Sequence, residues 1–278
     1  KGHGMARLYY GHVISNGAKI HYYRTGDEKP SVVFLHGISD NGLCWSRLAV
    51  LLEPFYDVIL VDSRGHGLSE ATLTGYSPDD RAADVAGLIE ALRLDKPPVV
   101  GHSMGAETAV MLAGKYPKLV GSLLLEDPPF WSQSHKESPE ARVQRREHFR
   151  KQISEWRDKT LDELIQIGRR MHPNWHEADL FQWAKSKKQI NPVAFDGIET
   201  DRPSWREYAK QVKCPVLLLT GDPLLGGIVT DEVVAEVKKL WKRPEIVHID
   251  HAGHNIRRDQ FELYYEAVKK FLRKNTDW

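Results

Sequence analysis

The sequence predicts an α/β fold, a mostly parallel sheet flanked by helices, with an inserted helical cap. Two observations carry this. Short apolar runs bounded by turn residues alternate with longer helical patterns along most of the 278 residues, as parallel strands joined by crossover helices require. Between residues 130 and 208 that rhythm stops: no strand pattern appears, charge density rises, and five of the eight tryptophans gather there (Trp131, Trp156, Trp175, Trp183, Trp205). The expected division is a core domain of residues 5–129 and 209–278 with a cap of residues 130–208. Residues 1–4 read as a tag remnant ahead of Met5.

In chain order, residues 18–23 and 31–35 read as strands, the second ending in His36-Gly37. A third apolar run, 56–61, closes with Asp62-Ser63-Arg64-Gly65-His66-Gly67. Residues 79–94 show helical spacing with acidic residues in the first turn, where the helix dipole favours them. Residues 98–100 are a short buried strand entering Gly101-His102-Ser103-Met104-Gly105, and the helix over 106–116 stops before Pro117. Strand 120–125 follows. Within the insertion the clearest helices are Leu161–Met171 and 178–189. The alternation then resumes with strand 215–220, helix 231–241, strand 245–249 and a last helix over 260–273.

Composition excludes several classes. Lys+Arg number 39 and Asp+Glu 38, a balance that argues against a nucleic-acid surface. The basic cluster Arg142, Arg145, Arg146 and Arg150 is interleaved with Glu140 and Glu147 and reads as a solvated helix face. No run approaches the ~18–20 apolar residues of a membrane helix, and the first residues lack the apolar core of a signal peptide. Cys44 and Cys214 form no C-x-x-C pair and read as structural thiols, so a reducing cytoplasm is the expected compartment. No metal-ligand spacing or phosphate-binding glycine loop occurs, and no cofactor is expected.

The chemistry concentrates at Ser103. A serine hydroxyl is a weak nucleophile until a base takes its proton and donors stabilise the oxyanion formed. Glycines two before and two after it, here Gly101 and Gly105, allow a sharp strand-to-helix turn that exposes the hydroxyl.

With Leu35-His36-Gly37, Asp62 to Ser69, the 101–105 elbow and Ala252-Gly253-His254 in this order, the chain resembles the α/β-hydrolase family from about residue 20 to 272, thinning across the insertion. The resemblance implies backbone donors at Ile38 and Met104 for the oxyanion, and His254 as general base. It leaves His36 to order its loop, and Asp62, Arg64 and His66 to build a turn under the site. His248 and His251 compete less well with His254: the first falls within a strand pattern, and the second stands where the family often has glycine.

The base needs a carboxylate to fix its tautomer and stabilise its cation, and here the sequence departs from the family. The family position three residues after Gly221 is Leu224, which has no charge. Asp222 is placed first as the acid, reaching His254 through a reshaped Leu224-Leu225-Gly226-Gly227 loop. Glu126, at a strand end that some branches use, is placed second, and Asp127 third. Ser103 at the elbow excludes the dehalogenase and epoxide-hydrolase chemistries, which use a carboxylate there.

The resemblance therefore implies a serine hydrolase cleaving a small-molecule ester or lactone through an acyl-enzyme, most simply a carboxylesterase. Amidase, perhydrolase or carbon–carbon bond hydrolysis would use the same residues, although Asn255 replaces the aromatic associated with the last. A non-catalytic small-molecule receptor is the alternative of another class, favoured by the missing carboxylate at Leu224.

Overall fold

The computed structural model of the chain describes residues 8–26, 28–132, 137–198 and 204–276, so the expectation for residues 1–4 lies outside it. Among the described residues eight strands form one sheet: β1 (Tyr9–Ser15), β2 (Ala18–Arg24), β3 (Ser31–Leu35), β4 (Asp57–Val61), β5 (Pro98–His102), β6 (Ser122–Glu126), β7 (Val216–Thr220) and β8 (Glu245–His248). Their order is β1-β2-β4-β3-β5-β6-β7-β8. β1 and β2 pair antiparallel, β2 joins β4 antiparallel, and every other pairing is parallel.

The central strands are unbroken apolar runs because both faces of the sheet are covered. Val33, Leu35, Ile59, Val61, Leu123 and Leu125 pack with α2 (Pro78–Ala91), α3 (Met104–Lys115) and α8 (Asp231–Leu240). Their neighbours in sequence, Val32, Phe34, Val58, Leu60 and Leu124, point the other way, to α1 (Ser46–Leu52) and α10 (Phe261–Asn275). This is strand alternation with two dry faces. β1 went unread because it is an edge strand: of its seven residues only Val13 and Ser15 are buried, so its apolar signal is faint.

The insertion between β6 and β7 carries α4 (Pro139–Arg157), α5 (Leu161–Met171), α6 (Glu177–Gln189), a 3₁₀ turn at Pro192–Ile198 and α7 (Trp205–Ala209). α5 opens with a capping box between Thr160 and Glu163, which satisfies amides the helix leaves free. Trp156, Trp175 and Trp183 pack in a small cluster with Leu164 and Leu180. Phe130 and Trp205 behave differently, stacking 4.4 Å apart within the large core of the sheet. The two ends of the insertion are thus anchored in the main core. Between β8 and α10 runs the short α9 (Ile256–Asp259). Cys44 is a buried free thiol and Cys214 a half-buried one. No helix among the described residues is long and apolar enough to cross a membrane.

Gly105 is where the fold and the elbow meet, since a Cβ there would overlap the Leu35 carbonyl oxygen of the neighbouring strand end. Backbone cannot yield as a flexible side chain can. Gly105→Ala is expected to lower the stability read from urea unfolding by at least about 2 kcal/mol, whereas a variant as stable as the parent would contradict this packing.

Candidate active site

β5 ends at His102 and α3 begins at Met104, so Ser103 occupies the turn between them with φ 51 and ψ −116. That is a strained conformation for a residue with a side chain, sustained by hydrogen bonds on either side. Ser103 N–H donates to the Glu126 carbonyl (3.0 Å), and the Ser103 carbonyl accepts from Glu107 N–H (3.0 Å). Met104, as the first residue of α3, has an amide with no acceptor inside the helix. Ser103, Met104, Ile38 and His254 all line one cavity of about 520 Å³, with aromatic walls from Trp131, Phe149, Trp156, Trp175, Trp183 and Phe195.

His254 is held from two directions. Its Nδ1 lies 2.5 Å from Asp127 Oδ2, and its carbonyl lies 2.9 Å from His102 Nε2. Asp127 is fully buried. Its carboxyl group accepts from Ile228 N–H (2.9 Å) and Val229 N–H (3.0 Å) as well, which gives a buried polar group the partners it needs. A carboxylate on Nδ1 fixes the imidazole tautomer and leaves Nε2 to exchange a proton.

The acid placed third on sequence is thus the one against His254, and neither of the two placed ahead of it makes that contact. Asp222 accepts instead from His251 N–H (2.7 Å) and pairs with His248 Nε2 (3.1 Å). With Asp250 these side chains bring three metal-capable donor atoms within 4.8 Å of one another, but none of the three lines the cavity of Ser103. The loop after Asp222 turns back on itself, Gly227 N–H donating to the Asp222 carbonyl (3.0 Å). It carries the Ile228 and Val229 amides to Asp127 rather than Asp222 to the histidine.

Glu126 is corrected by strand alternation. In β6 it shares a face with Leu124, turned to the α1–α10 side, where it accepts from Arg257 N–H (3.0 Å) and pairs with Arg257 Nη1 (3.1 Å). Asp127 leaves the strand with φ 40, which swings its side chain out of that alternation. Both faces of β6 are buried, so its sequence does not mark which face meets the histidine, and the left-handed turn that aims Asp127 leaves no signal either.

The loop carrying Ile38 is pinned on both sides. Beneath it, His66 Nε2 accepts from Ser39 N–H (3.3 Å) and Asp62 Oδ1 from Gly42 N–H (2.7 Å), so Asp62 and His66 do belong to a supporting turn. Arg64 belongs to the same turn, its carbonyl 2.9 Å from His66 Nδ1, while its side chain bonds Asp84. Above it, Lys187 of α6 donates to the Ser39 carbonyl (2.8 Å) and hydroxyl (3.0 Å) and to Asp40 Oδ1 (3.2 Å). Ser39 has φ 67, and these bonds hold it there. The same cavity reaches Arg145 on α4, one arginine of the cluster read as a solvated face, which pairs with Glu137 at 2.8 Å.

Three buried histidines surround this region. Burial pushes the pKa of His102 well below the ordinary 6.5, with Arg257 and His254 adding to it. Burial likewise lowers His36 and, with His36 beside it, brings His66 down to about 3. Folding therefore disfavours protonation of all three, while the unfolded chain takes up their protons below about 6.5. The unfolded state then binds more protons, so stability falls as pH drops below 6.5, by at most about 1.4 kcal/mol per pH unit for each histidine. The urea midpoint is expected to fall from pH 7 to pH 5, and a flat midpoint over that range would contradict the lowered histidine pKa values.

Comparison with known proteins agrees with the fold. The family model described as alpha/beta hydrolase fold matches residues 30–257. The chain is 31% identical over 258 residues to the 2-(acetamidomethylene)succinate hydrolase of Mesorhizobium japonicum, covering 87% of this chain and 88% of that one. It is 28% identical over 268 residues to the N-formylmaleamate deformylase of Pseudomonas putida, covering 94% and 96%. Among solved structures, E-2-(acetamidomethylene)succinate hydrolase superposes with a TM-score of 0.80 at 24% identity, covering 96% of this chain and all of that one.

Proposed function

The chain belongs to the alpha/beta hydrolase fold family, and within it we propose a serine hydrolase that cleaves a carboxylic acyl bond through an acyl-enzyme. The observation that carries this is the contact of His254 Nδ1 with the buried Asp127 carboxylate at 2.5 Å, in a cavity shared with Ser103. His254 Nε2 accepts the Ser103 proton as Oγ attacks the carbonyl carbon, and Asp127 stabilises the imidazolium that forms. The Ile38 and Met104 amides receive the charge that develops on the carbonyl oxygen. The leaving group departs with the proton from His254, and water activated by the same imidazole then releases the acid.

Ester cleavage is the simplest form of this chemistry. A second form is favoured by the two relatives named above: their names specify a nitrogen-bound acyl group, an acetamido in one and an N-formyl in the other. The same site serves an amide, provided His254 protonates the nitrogen before it leaves. The receptor reading loses its motive, because the carboxylate missing at Leu224 has a counterpart in Asp127.

Hydrolysis of 4-nitrophenyl acetate and of an N-acyl amide by the parent and four variants tests this. Ser103→Ala is expected to lose at least about 10⁴-fold in kcat, and Asp127→Asn about 10³ to 10⁴-fold. Asp222→Asn is expected to stay within a few-fold of the parent, while Glu126→Gln acts mainly on stability. Turnover that survives Ser103→Ala would overturn the proposal, and a larger loss in Asp222→Asn than in Asp127→Asn would overturn the assignment of the acid.

A further inference from the structure

The cavity wall next to His254 holds more positive charge than its own carboxylates match. Among the described residues lining the cavity, Arg81, Arg145, Lys187 and Arg258 are cationic and only Asp40 and Glu107 are anionic. Arg81 is matched by Glu107 (2.8 Å) and Arg145 by Glu137 (2.8 Å). The other two are not matched one to one. Asp40 faces Lys187 (3.2 Å), Arg257 (3.2 Å) and Arg258 (2.9 Å), and Glu126 pairs closely with Arg257 (3.1 Å), with Arg258 acting on it at longer range. Three cations thus share two carboxylates, and all five side chains are at least 95% buried. Asp259, next along α9, is part-exposed and already accepts from Trp175 Nε1 (2.8 Å) and Gly253 N–H (2.9 Å).

Surplus charge in a dry wall is costly unless an anion meets it. Arg258 has the donors to meet one. A guanidinium carries five N–H groups. Those of Arg258 have acceptors in Asn255 Oδ1 (3.1 Å) and Asp40 Oδ2 (2.9 Å), while its Nε is buried with no partner among the described residues. Its flat face lies 4.7 Å over the ring centre of Trp175, itself stacked on His172 at 3.8 Å, which holds the fork rigid. Burial disfavours the Asp40 charge, yet Arg258, Lys187 and Arg257 hold its carboxyl well below the usual range, so that carboxylate is already fully engaged by cations.

We propose that this wall is an anion subsite, and that the substrate carries a carboxylate that binds Arg258 while its acyl carbon faces Ser103. The proposal rests on the serine-hydrolase reading above and narrows its substrates to small anionic acyl compounds. The aromatic walls strengthen it, since a charge pair shielded from water is worth more than an exposed one. Arginine suits the role because its fork matches a carboxylate in two places.

The test compares two esters of similar length, the 4-nitrophenyl monoester of succinate, which is anionic, and 4-nitrophenyl pentanoate, which is neutral. After subtraction of spontaneous hydrolysis, the parent is expected to favour the anionic ester by at least tenfold in kcat/KM, with succinate as a competitive inhibitor. Equal or better turnover of the neutral ester, without inhibition by succinate, would overturn the proposal with no variant needed. In Arg258→Met the preference is expected to fall at least tenfold, and in Arg258→Lys to be partly kept. A folded Arg258→Met with the parent's preference would overturn the assignment to Arg258. If neither ester shows Ser103-dependent turnover, the serine-hydrolase reading fails instead. Calorimetric titration of succinate into Ser103→Ala then judges the subsite separately: binding supports it, and no heat at millimolar succinate rejects it.

Discussion

Asp40 clasps three segments that are remote in sequence and meet only at the cavity. One oxygen accepts from Lys187 on the covering helix α6, and the other takes Arg257 and Arg258 on α9, just after His254. Asp40 itself ends the loop that carries Ile38. A buried ion cluster of this kind adds little net stability over a well-packed apolar core, because desolvation consumes the Coulomb gain. What it does supply is geometry: charge-assisted hydrogen bonds have directions, and these fix the loop, the cover and the histidine turn relative to one another. The cavity is therefore assembled from the core and the insertion together.

The same logic explains how the acid is held. A buried carboxylate needs donors on each oxygen, and Asp127 obtains them from two consecutive amides and one imidazole. The amides come from the loop after β7, tightened by a 3₁₀ turn and by Gly226 at φ 99. In this chain the strand end after β6 presents the carboxylate and the loop after β7 presents its donors. Leu224, where a charge was expected, is almost fully exposed and has no part in the site.

The aromatic residues of the insertion divide by position. Trp205 joins Phe130 and Trp241 in the main core, while Trp175 and Trp183 serve their own small cluster and the cavity wall at once. Packing and lining are compatible here because a large ring has two faces. The double use also means that the cavity's shape is tied to the stability of the insertion.

Much of this was legible in the sequence, and for local reasons. Alternating apolar runs and helical patterns specified the central strands and most helices, because strand alternation and helical spacing are properties of contiguous residues. The Gly-x-Ser-x-Gly elbow located Ser103, since only glycine tolerates the close backbone approach at 101 and 105. Ala252-Gly253-His254, between a strand and a helix, pointed to His254 through the resemblance to the α/β-hydrolase family. Other features depended on contacts that contiguous residues cannot report. β1 was hidden because an edge strand buries so few of its residues. Arg145 was indistinguishable from its solvated neighbours until α4 was laid across the cavity. The choice among Asp222, Glu126 and Asp127 turned on a single left-handed φ at the end of β6 and on which way a loop 100 residues later folded back. Sequence by itself determined which strands would be buried and which serine would stand at the strand-to-helix turn. Tertiary structure alone decided which carboxylate meets the histidine, because that pairing exists only where two strand ends and a returning loop converge.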